Sequence, residues 1–115
     1  MKKNVTVISL KNLMILERLL LEIDERFKFE LDFNRAYVLN ELLEDVGKIT
    51  SYAFSIQQEF YKKYNDGKKL EEYHDMVMSS SVEFNCEKVV EFIEMVDSEF
   101  KNEEFKNIVE ELKFW

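Results

Sequence analysis

The residues best suited to nucleophilic catalysis are scarce in this sequence. His74 is the only histidine and Cys86 the only cysteine. Catalysis by a Cys–His pair requires the imidazole within hydrogen-bonding reach of the thiol, and these two residues lie on either side of a serine run at residues 79–81. A buried free cysteine usually packs as a small apolar side chain. We therefore expect an exposed histidine, a packed cysteine and no catalytic residue.

Metal and cofactor sites lack the residues they need. Glu71 and His74 have the Glu-x-x-His spacing of a di-metal helix, but that site requires a second such motif, and no other histidine exists. A structural zinc site fails for the same shortage of ligands. Gly47 and Gly67 are the only glycines, which is too few for a phosphate-binding loop. The sequence predicts no metal and no cofactor.

Carboxylates recur with helical spacing near the C-terminal end. Glu87, Glu91 and Glu94 follow steps of four and three, with Glu83 before them and Asp97 after them. On a helix, such residues form a ridge with neighbours roughly 4.5–6 Å apart along the axis. Phosphates along a nucleic-acid strand are ~7 Å or less apart, so this ridge could imitate nucleic acid for a basic partner. A solvated helix face is the alternative interpretation.

An apolar stripe lies outside the expected core positions of the longest predicted helix. When its core positions are taken as a and d of a heptad, Gly47, Phe54 and Tyr61 all fall at position b, on the outward side. Exposed apolar stripes on globular proteins usually mark interaction sites. The alternative is that another helix, or the segment at residues 68–81, covers this stripe.

The composition indicates one helical domain. The chain has 115 residues, of which 46% are apolar, with no proline and two glycines. This length is typical of a single domain, and long helices are built without proline and glycine. The net charge is −8, which disfavours direct binding to nucleic acid or to anionic membranes. Ten acidic and four basic residues in 83–115 make this part the most negative, with a net charge of −6.

The N-terminal segment and the cysteine content predict a cytoplasmic protein. A single cysteine cannot form an intramolecular disulfide, as is natural in a reducing compartment. No signal-peptide core follows Lys2 and Lys3, and no apolar run approaches the ~20 residues that cross a bilayer. We expect no membrane association.

Hydrophobic periodicity predicts the first two helices. Residues 5–10 are rich in β-branched side chains and suggest a short strand. From Asn12 the period becomes helical, and this helix ends near residues 28–31. Asp32 or Asn34 then caps a second helix of about thirty residues, which stops where Gly67 supplies a left-handed backbone. The core positions expected on these two helices are Leu13, Leu16, Leu20, Ile23 and Phe27, followed by Leu39, Leu42, Val46, Ile49, Ala53, Ile56 and Phe60.

The remaining elements are shorter. Residues 68–81 are ambiguous between helix, hairpin and loop, and residues 82–84 alternate like a strand that could pair with residues 5–10. Asn85 resembles a helix cap. The inward positions of the last two helices are Val89, Phe92 or Ile93, Val96, Phe105, Ile108, Leu112 and Trp115. Together these patterns predict a mainly α protein: one domain over residues 1–115, folded as an antiparallel bundle of three to four helices with a minor two-stranded β element.

The order of these pieces resembles small uncharacterised proteins of phages and prophages of low-GC Gram-positive bacteria. The features are a short strand leading into a Leu-rich helix, a long central helix that opens with Asn34 and Arg35, an Asn-Asp-Gly-Lys turn at residues 65–68, and residues 82–85 before an acidic helix. The resemblance covers most of the chain and implies no activity. It implies a context in which small acidic proteins inhibit host defence or replication proteins, or assist assembly.

These observations favour a non-enzymatic, phage-type protein-binding module. We expect a protein partner with a basic surface, such as a host nucleic-acid-handling or defence protein that the chain inhibits in the manner of an anti-CRISPR. Glu87, Glu91 and Glu94 are the predicted binding residues, with Phe54 and Tyr61 as anchors. The alternative is a structural or assembly component of a phage particle that oligomerises, for example as a homodimer, through the aromatic stripe.

Overall fold

The computed structural model describes residues 7–63, 67–96 and 102–113, and these residues form a mainly helical bundle with a small antiparallel sheet. The predicted fold class is therefore confirmed, and residues 68–81 prove to be mostly helical. In chain order the elements are β1 (Val7–Ser9), α1 (Leu10–Phe27), a 3₁₀ turn (Lys28–Glu30), α2 (Phe33–Lys63), α3 (Gly67–Ser79), β2 (Ser81–Glu83), α4 (Glu87–Val96) and α5 (Glu103–Lys113).

The predicted pairing of the two short strands is present. β1 and β2 run antiparallel, with Ile8 opposite Val82. One further hydrogen bond lies next to the sheet: the amide of Leu10, the first residue of α1, donates to the carbonyl of Ser80, between α3 and β2, over 2.8 Å. The sheet therefore ties the start of α1 to the end of α3.

Polar side chains at the helix starts explain where the chain becomes helical. The Ser9 hydroxyl accepts a hydrogen bond from the Asn12 amide, so α1 begins two residues before Asn12. The Asp32 carboxylate accepts from the Arg35 amide over 2.9 Å, which makes Asp32 the cap of α2. Asn85 accepts from the Glu87 amide over 2.8 Å, as predicted. Each side chain satisfies an amide that has no partner within its helix.

The core lies between α1, the first half of α2, α4 and α5. The core positions predicted for each helix form an apolar row, which we call its seam. The seam of α1 is fully buried, and so are the first three positions of the seam of α2. Trp115 lies outside the described residues. The buried side chains contributed by α2, α4 and α5 are Leu39, Leu42, Val46, Val89, Phe92, Ile93, Val96, Phe105, Ile108, Val109 and Leu112.

The second half of the α2 seam is only partly buried, with Ile49 and Ala53 packed against the core. This corrects the prediction of an unbroken buried heptad pattern. Ile49 and Ala53 are half-buried and Ile56 is 38% exposed. α3 contributes no buried residue. A 31-residue helix is about 46 Å long and the molecule extends 50 Å along its longest axis. The end of α2 therefore projects beyond the bundle with α3 as its described neighbour. We call residues 48–63 together with α3 the α2–α3 hairpin.

The prediction for Gly67 is also wrong. Gly67 is the first residue of α3, and among the described residues no glycine has a positive φ angle. It therefore supplies no left-handed backbone to end α2. The preceding Asn65 and Asp66 lie outside the described residues. None of the described helices is both long enough and apolar enough to cross a membrane.

Candidate protein-interaction surfaces

α4 is held against the first half of α2 by contacts at both of its ends. Near its start, the Lys88 ammonium lies 3.2 Å from Asp45 and 3.3 Å from Glu41. Near its end, the Arg35 guanidinium donates to the Met95 carbonyl over 2.7 Å. The hydrogen bonds to Asp45 and then to Glu41 raise the pKa of Lys88. These contacts fix which face of α4 meets α2 and which face meets solvent.

The face of α4 that meets solvent is uniformly acidic. Glu87, Glu91 and Glu94 are all exposed, and no ion pair links any of the three to another described residue. Lys88 is the only basic residue of α4, and its ammonium is directed to the carboxylates of α2. We call the surface formed by these three glutamates the acidic face of α4.

The flanking members of the predicted ridge have different positions. Glu83 is exposed but belongs to β2, outside α4. Asp97 lies outside the described residues. Within the described chain, the predicted ridge therefore consists of one helical face of three glutamates, preceded by a separate carboxylate on a strand.

The aromatic stripe of α2 is shorter than predicted. Phe54 is 60% exposed and Tyr61 is 41% exposed, so α3 leaves both rings accessible. Gly47 does not belong with them, because it is half-buried and an added Cβ would lie 3.9 Å from a carboxylate oxygen of Glu17 on α1. The Thr50 hydroxyl donates to the same carboxylate over 2.8 Å. Gly47, the first of the three b positions, thus faces α1. Only the later two, Phe54 and Tyr61, face solvent.

A second exposed aromatic cluster lies at the junction of α1 and α2, and the sequence analysis missed it. Phe29 is 93% exposed, Phe33 is 83% exposed and Tyr37 is 56% exposed. The rings of Phe33 and Tyr37 stack with centroids 6.4 Å apart. A hydrogen bond to Glu41 raises the pKa of Tyr37. The sequence did offer one indication of this cluster. Phe29 and Phe33 lie near the predicted junction of two helices and occupy no predicted core position.

The α2–α3 hairpin carries an open surface groove lined by both apolar and charged side chains. Phe60 and Tyr73 stack almost in parallel, with ring centroids 3.7 Å apart. Two adjoining clefts open beside this stack, with volumes of about 490 and 400 Å³. Ile56 lines the first cleft and Met76 the second, and lysines and glutamates line both. Helix α3 therefore covers the apolar seam of α2 only in part.

The residues considered for catalysis or metal binding occupy unlike environments. His74 is exposed on α3, with Nδ1 2.7 Å from the side-chain amide nitrogen of Gln57. Cys86 is 2% exposed, and its Sγ is 3.9 Å from the Phe84 carbonyl oxygen. Across the three described ranges, no three histidine, cysteine, aspartate or glutamate side chains are grouped so that they could hold a metal ion.

Comparison of the chain with models of protein families, with curated proteins and with solved structures gave no match.

Proposed function

We propose that this protein is a non-enzymatic binding module whose acidic face of α4 contacts a basic surface on another protein. The observation that carries the proposal is the orientation of α4. Its one lysine is paired with Asp45 and Glu41 of α2, and its three glutamates are left together in solvent.

The electrostatics of this face suit a partner with clustered Lys and Arg. Three like charges at steps of four and three repel one another in the free protein, and a basic partner relieves that repulsion. The net charge of −8 adds a long-range attraction that speeds encounter with a basic surface. The same charge opposes direct contact with nucleic acid, whose phosphates are also negative.

The class of partner follows from combining charge with helical spacing. Basic grooves that accept closely spaced negative charges are typical of nucleic-acid-handling proteins. The chain would occupy such a groove and so act as an inhibitor. Together with the resemblance to small phage proteins, this gives the specific form of the proposal: inhibition of a host nucleic-acid-handling or defence protein, as an anti-CRISPR does, in the host cytoplasm.

The exposed aromatic rings of α2 favour a second candidate function. Phe54 and Tyr61 lie seven residues apart, two helical turns along α2, and both are accessible. Aromatic side chains are enriched in the buried centres of protein interfaces. Under this candidate, the chain is a structural or assembly component of a phage particle that associates through these rings.

The salt dependence of binding separates the two candidates. The full chain would be immobilised to capture a partner from a lysate of a low-GC Gram-positive bacterium, and the captured protein would then be purified. Its affinity would be measured between about 0.1 M and about 1 M salt, which shortens the Debye length from about 10 Å to about 3 Å. An acidic contact predicts a steep loss of affinity over this range. An unchanged affinity would reject the acidic face and support the aromatic rings.

A further inference from the structure

Two aromatic rings at the start of α2 remain largely in solvent. Phe33 and Tyr37 lie one helical turn apart, are 83% and 56% exposed, and stack on each other. Phe29 does not belong with them, because the ammonium of Lys28 already lies 5.4 Å from the centroid of its ring. We call the two stacked residues the Phe33–Tyr37 pair.

The direction of α4 relative to α2 follows from two contacts. Lys88, near the start of α4, lies 3.3 Å from Glu41 of α2. Met95, near the end of α4, accepts through its carbonyl a hydrogen bond from Arg35, which lies earlier in α2. The two helices therefore run antiparallel along this boundary.

This direction places Glu91 beside Tyr37. Tyr37 lies four residues before Glu41, and Glu91 lies three residues after Lys88, so each shares a side of its helix with the residue that makes the contact. Because the helices are antiparallel, these two steps of about 6 and 4.5 Å lead in the same direction from the Lys88–Glu41 ion pair. Tyr37 and Glu91, which are both exposed, are thus neighbours across the boundary between α2 and α4. The Phe33–Tyr37 pair borders the acidic face of α4.

Aromatic rings beside a carboxylate favour a cationic occupant. The face of an aromatic ring attracts cations, and Glu91 attracts them by its charge. An apolar occupant would bury part of this carboxylate without pairing it, at a cost in free energy. Charge complementarity therefore selects a positively charged group for this surface.

The cations of the chain that lie near the Phe33–Tyr37 pair make other contacts. Lys28 lies over the ring of Phe29. Arg35 pairs with Asp32 and donates to a carbonyl of α4, and the ammonium of Lys88 is directed to the carboxylates of α2. A cation that covers the exposed pair would therefore come from another molecule.

The geometry favours arginine over lysine. A guanidinium is planar and weakly hydrated, so it can stack on an aromatic face while its edge donates two hydrogen bonds to a carboxylate. An ammonium is compact and strongly hydrated, and it cannot make both contacts in this way. Rings and carboxylate on neighbouring helices suit the first group better than the second.

We propose that the Phe33–Tyr37 pair and Glu91 bind an arginine side chain of the basic protein partner, with the guanidinium stacked on the rings and donating to Glu91. This inference rests on the proposed function, since it names the side chain that the partner presents beside the acidic face of α4. It also assigns a role to exposed aromatic residues that the proposed function does not use.

Two synthetic peptides, hexaarginine and hexalysine, test this preference on the full chain by calorimetry in low salt. The wild type should bind hexaarginine about fivefold more tightly than hexalysine, because a cation–π contact at an exposed site is modest in strength. Tyr37→Leu and Phe33→Leu should each lower this ratio to about twofold or less, through weaker binding of hexaarginine. Tyr52→Leu is the matched control, since Tyr52 is an equally exposed type of residue further along the same helix, at 69%, and should keep the wild-type ratio. Circular dichroism would establish that each variant is folded.

A pair of single glutamate variants tests the placement of the arginine. Glu91→Gln and Glu87→Gln remove the same charge from the same helix. Glu91→Gln should weaken hexaarginine binding several-fold more than Glu87→Gln, because Glu87 does not share a side of α4 with the contacts to α2. Equal losses in the two variants would overturn the placement beside Tyr37.

The outcomes distinguish this inference from the proposed function. Equal wild-type affinities for the two peptides, or no binding of either, would overturn the arginine site. So would an arginine preference that survives in both Tyr37→Leu and Phe33→Leu, or one that Tyr52→Leu abolishes. Equal affinities that both fall in the variant with Glu87, Glu91 and Glu94 changed to Gln would overturn the aromatic contribution and support the acidic face. An arginine preference that persists in that triple variant with no loss of affinity would instead overturn the acidic face.

Discussion

Lys88 of α4 and Asp45 of α2 form an ion pair with 3.2 Å between Nζ and Oδ2, and the same ammonium lies 3.3 Å from Glu41. This contact joins two helices that are 43 residues apart in sequence at these positions. It also directs the ammonium of the only basic residue of α4 toward the carboxylates of α2. Because this lysine pairs with α2, the exposed Glu87, Glu91 and Glu94 have no ion pair among the described residues.

The first prediction is that Lys88→Met lowers the melting temperature at neutral pH, because Asp45 and Glu41 lose their shared partner. The effect should depend on pH. The pKa of folded Lys88 is raised above its ordinary value of 10.5, so its contribution to stability is fully present below pH 10.5 and is lost as the pH rises through the raised pKa. In thermal melts, the difference in melting temperature between wild type and variant should therefore be constant well below pH 10.5 and should narrow as the pH is raised above it.

Lys48→Met is the control for that measurement. Lys48 pairs with Glu44 within the same helix over 3.7 Å, and both side chains are well exposed. Such a pair does not join two helices, so its loss should change the melting temperature less than the loss of Lys88. Equal effects of the two substitutions at neutral pH would contradict the assigned role of Lys88.

The second prediction concerns the point at which α2 leaves the core. Val46→Asp should unfold the protein, since Val46 is 0% exposed and an unpaired buried charge costs several kcal/mol. Ile56→Asp should remain folded, because Ile56 is already 38% exposed. Far-UV circular dichroism and urea unfolding compare the two. Folded Val46→Asp protein, or unfolded Ile56→Asp protein, would show that the boundary of the core is wrongly placed.

Local signals in the sequence were sufficient to predict most of the helices. The heptad pattern identified the apolar side of α2, and Asp32 and Asn85 identified helix starts, because these features act over a few neighbouring residues. The pattern could not show that Val46 is buried while Ile56 is not, since that depends on how far the other helices extend.

At the end of α3, the hydroxyls of Ser79 and Ser80 donate to the Met76 carbonyl. The serine run therefore ends a helix.

The candidate surfaces were predicted less completely than the helices. Glu87, Glu91 and Glu94 are exposed as expected, because their spacing alone places them on one side of a helix away from its apolar residues. Gly47 was assigned to the wrong side, since α1 passes close to α2 at that point. Phe29 and Phe33 were missed because aromatic residues are more often buried than exposed, although no predicted core position accounts for either of them.

The third prediction is that His74 and Cys86 are dispensable for binding. His74→Ala removes an exposed contact with Gln57 and should leave stability and partner affinity unchanged. Cys86→Ala should cost roughly 1 kcal/mol of stability, comparable to the loss of one buried methyl group, and should bind normally. Partner affinity measured with each variant, and with wild type after chelator or thiol-reagent treatment, checks this. Loss of binding by protein that remains folded would contradict the non-enzymatic account.

The fourth prediction tests the acidic face of α4 through a charge-matched pair of variants. The first variant carries Glu87→Gln, Glu91→Gln and Glu94→Gln, which preserve helix propensity closely and remove like-charge repulsion. Its stability should therefore hold or rise slightly. The control carries Glu25→Gln, Glu30→Gln and Glu71→Gln, three exposed positions outside α4. Both variants reduce the negative charge of the chain by three, so any difference between them reflects where the charges lie.

The association rate with the captured protein partner is the most direct measurement of the central claim. Because long-range charge steers encounter, the triple variant of α4 should associate about tenfold more slowly than the wild type, with a shallower dependence on salt. The association rate of the control variant should lie between those of the α4 variant and the wild type, and close to that of the wild type. If the α4 variant binds at the wild-type rate while Phe54→Ala dissociates faster, the acidic face is not the binding surface and the aromatic residues of α2 carry recognition.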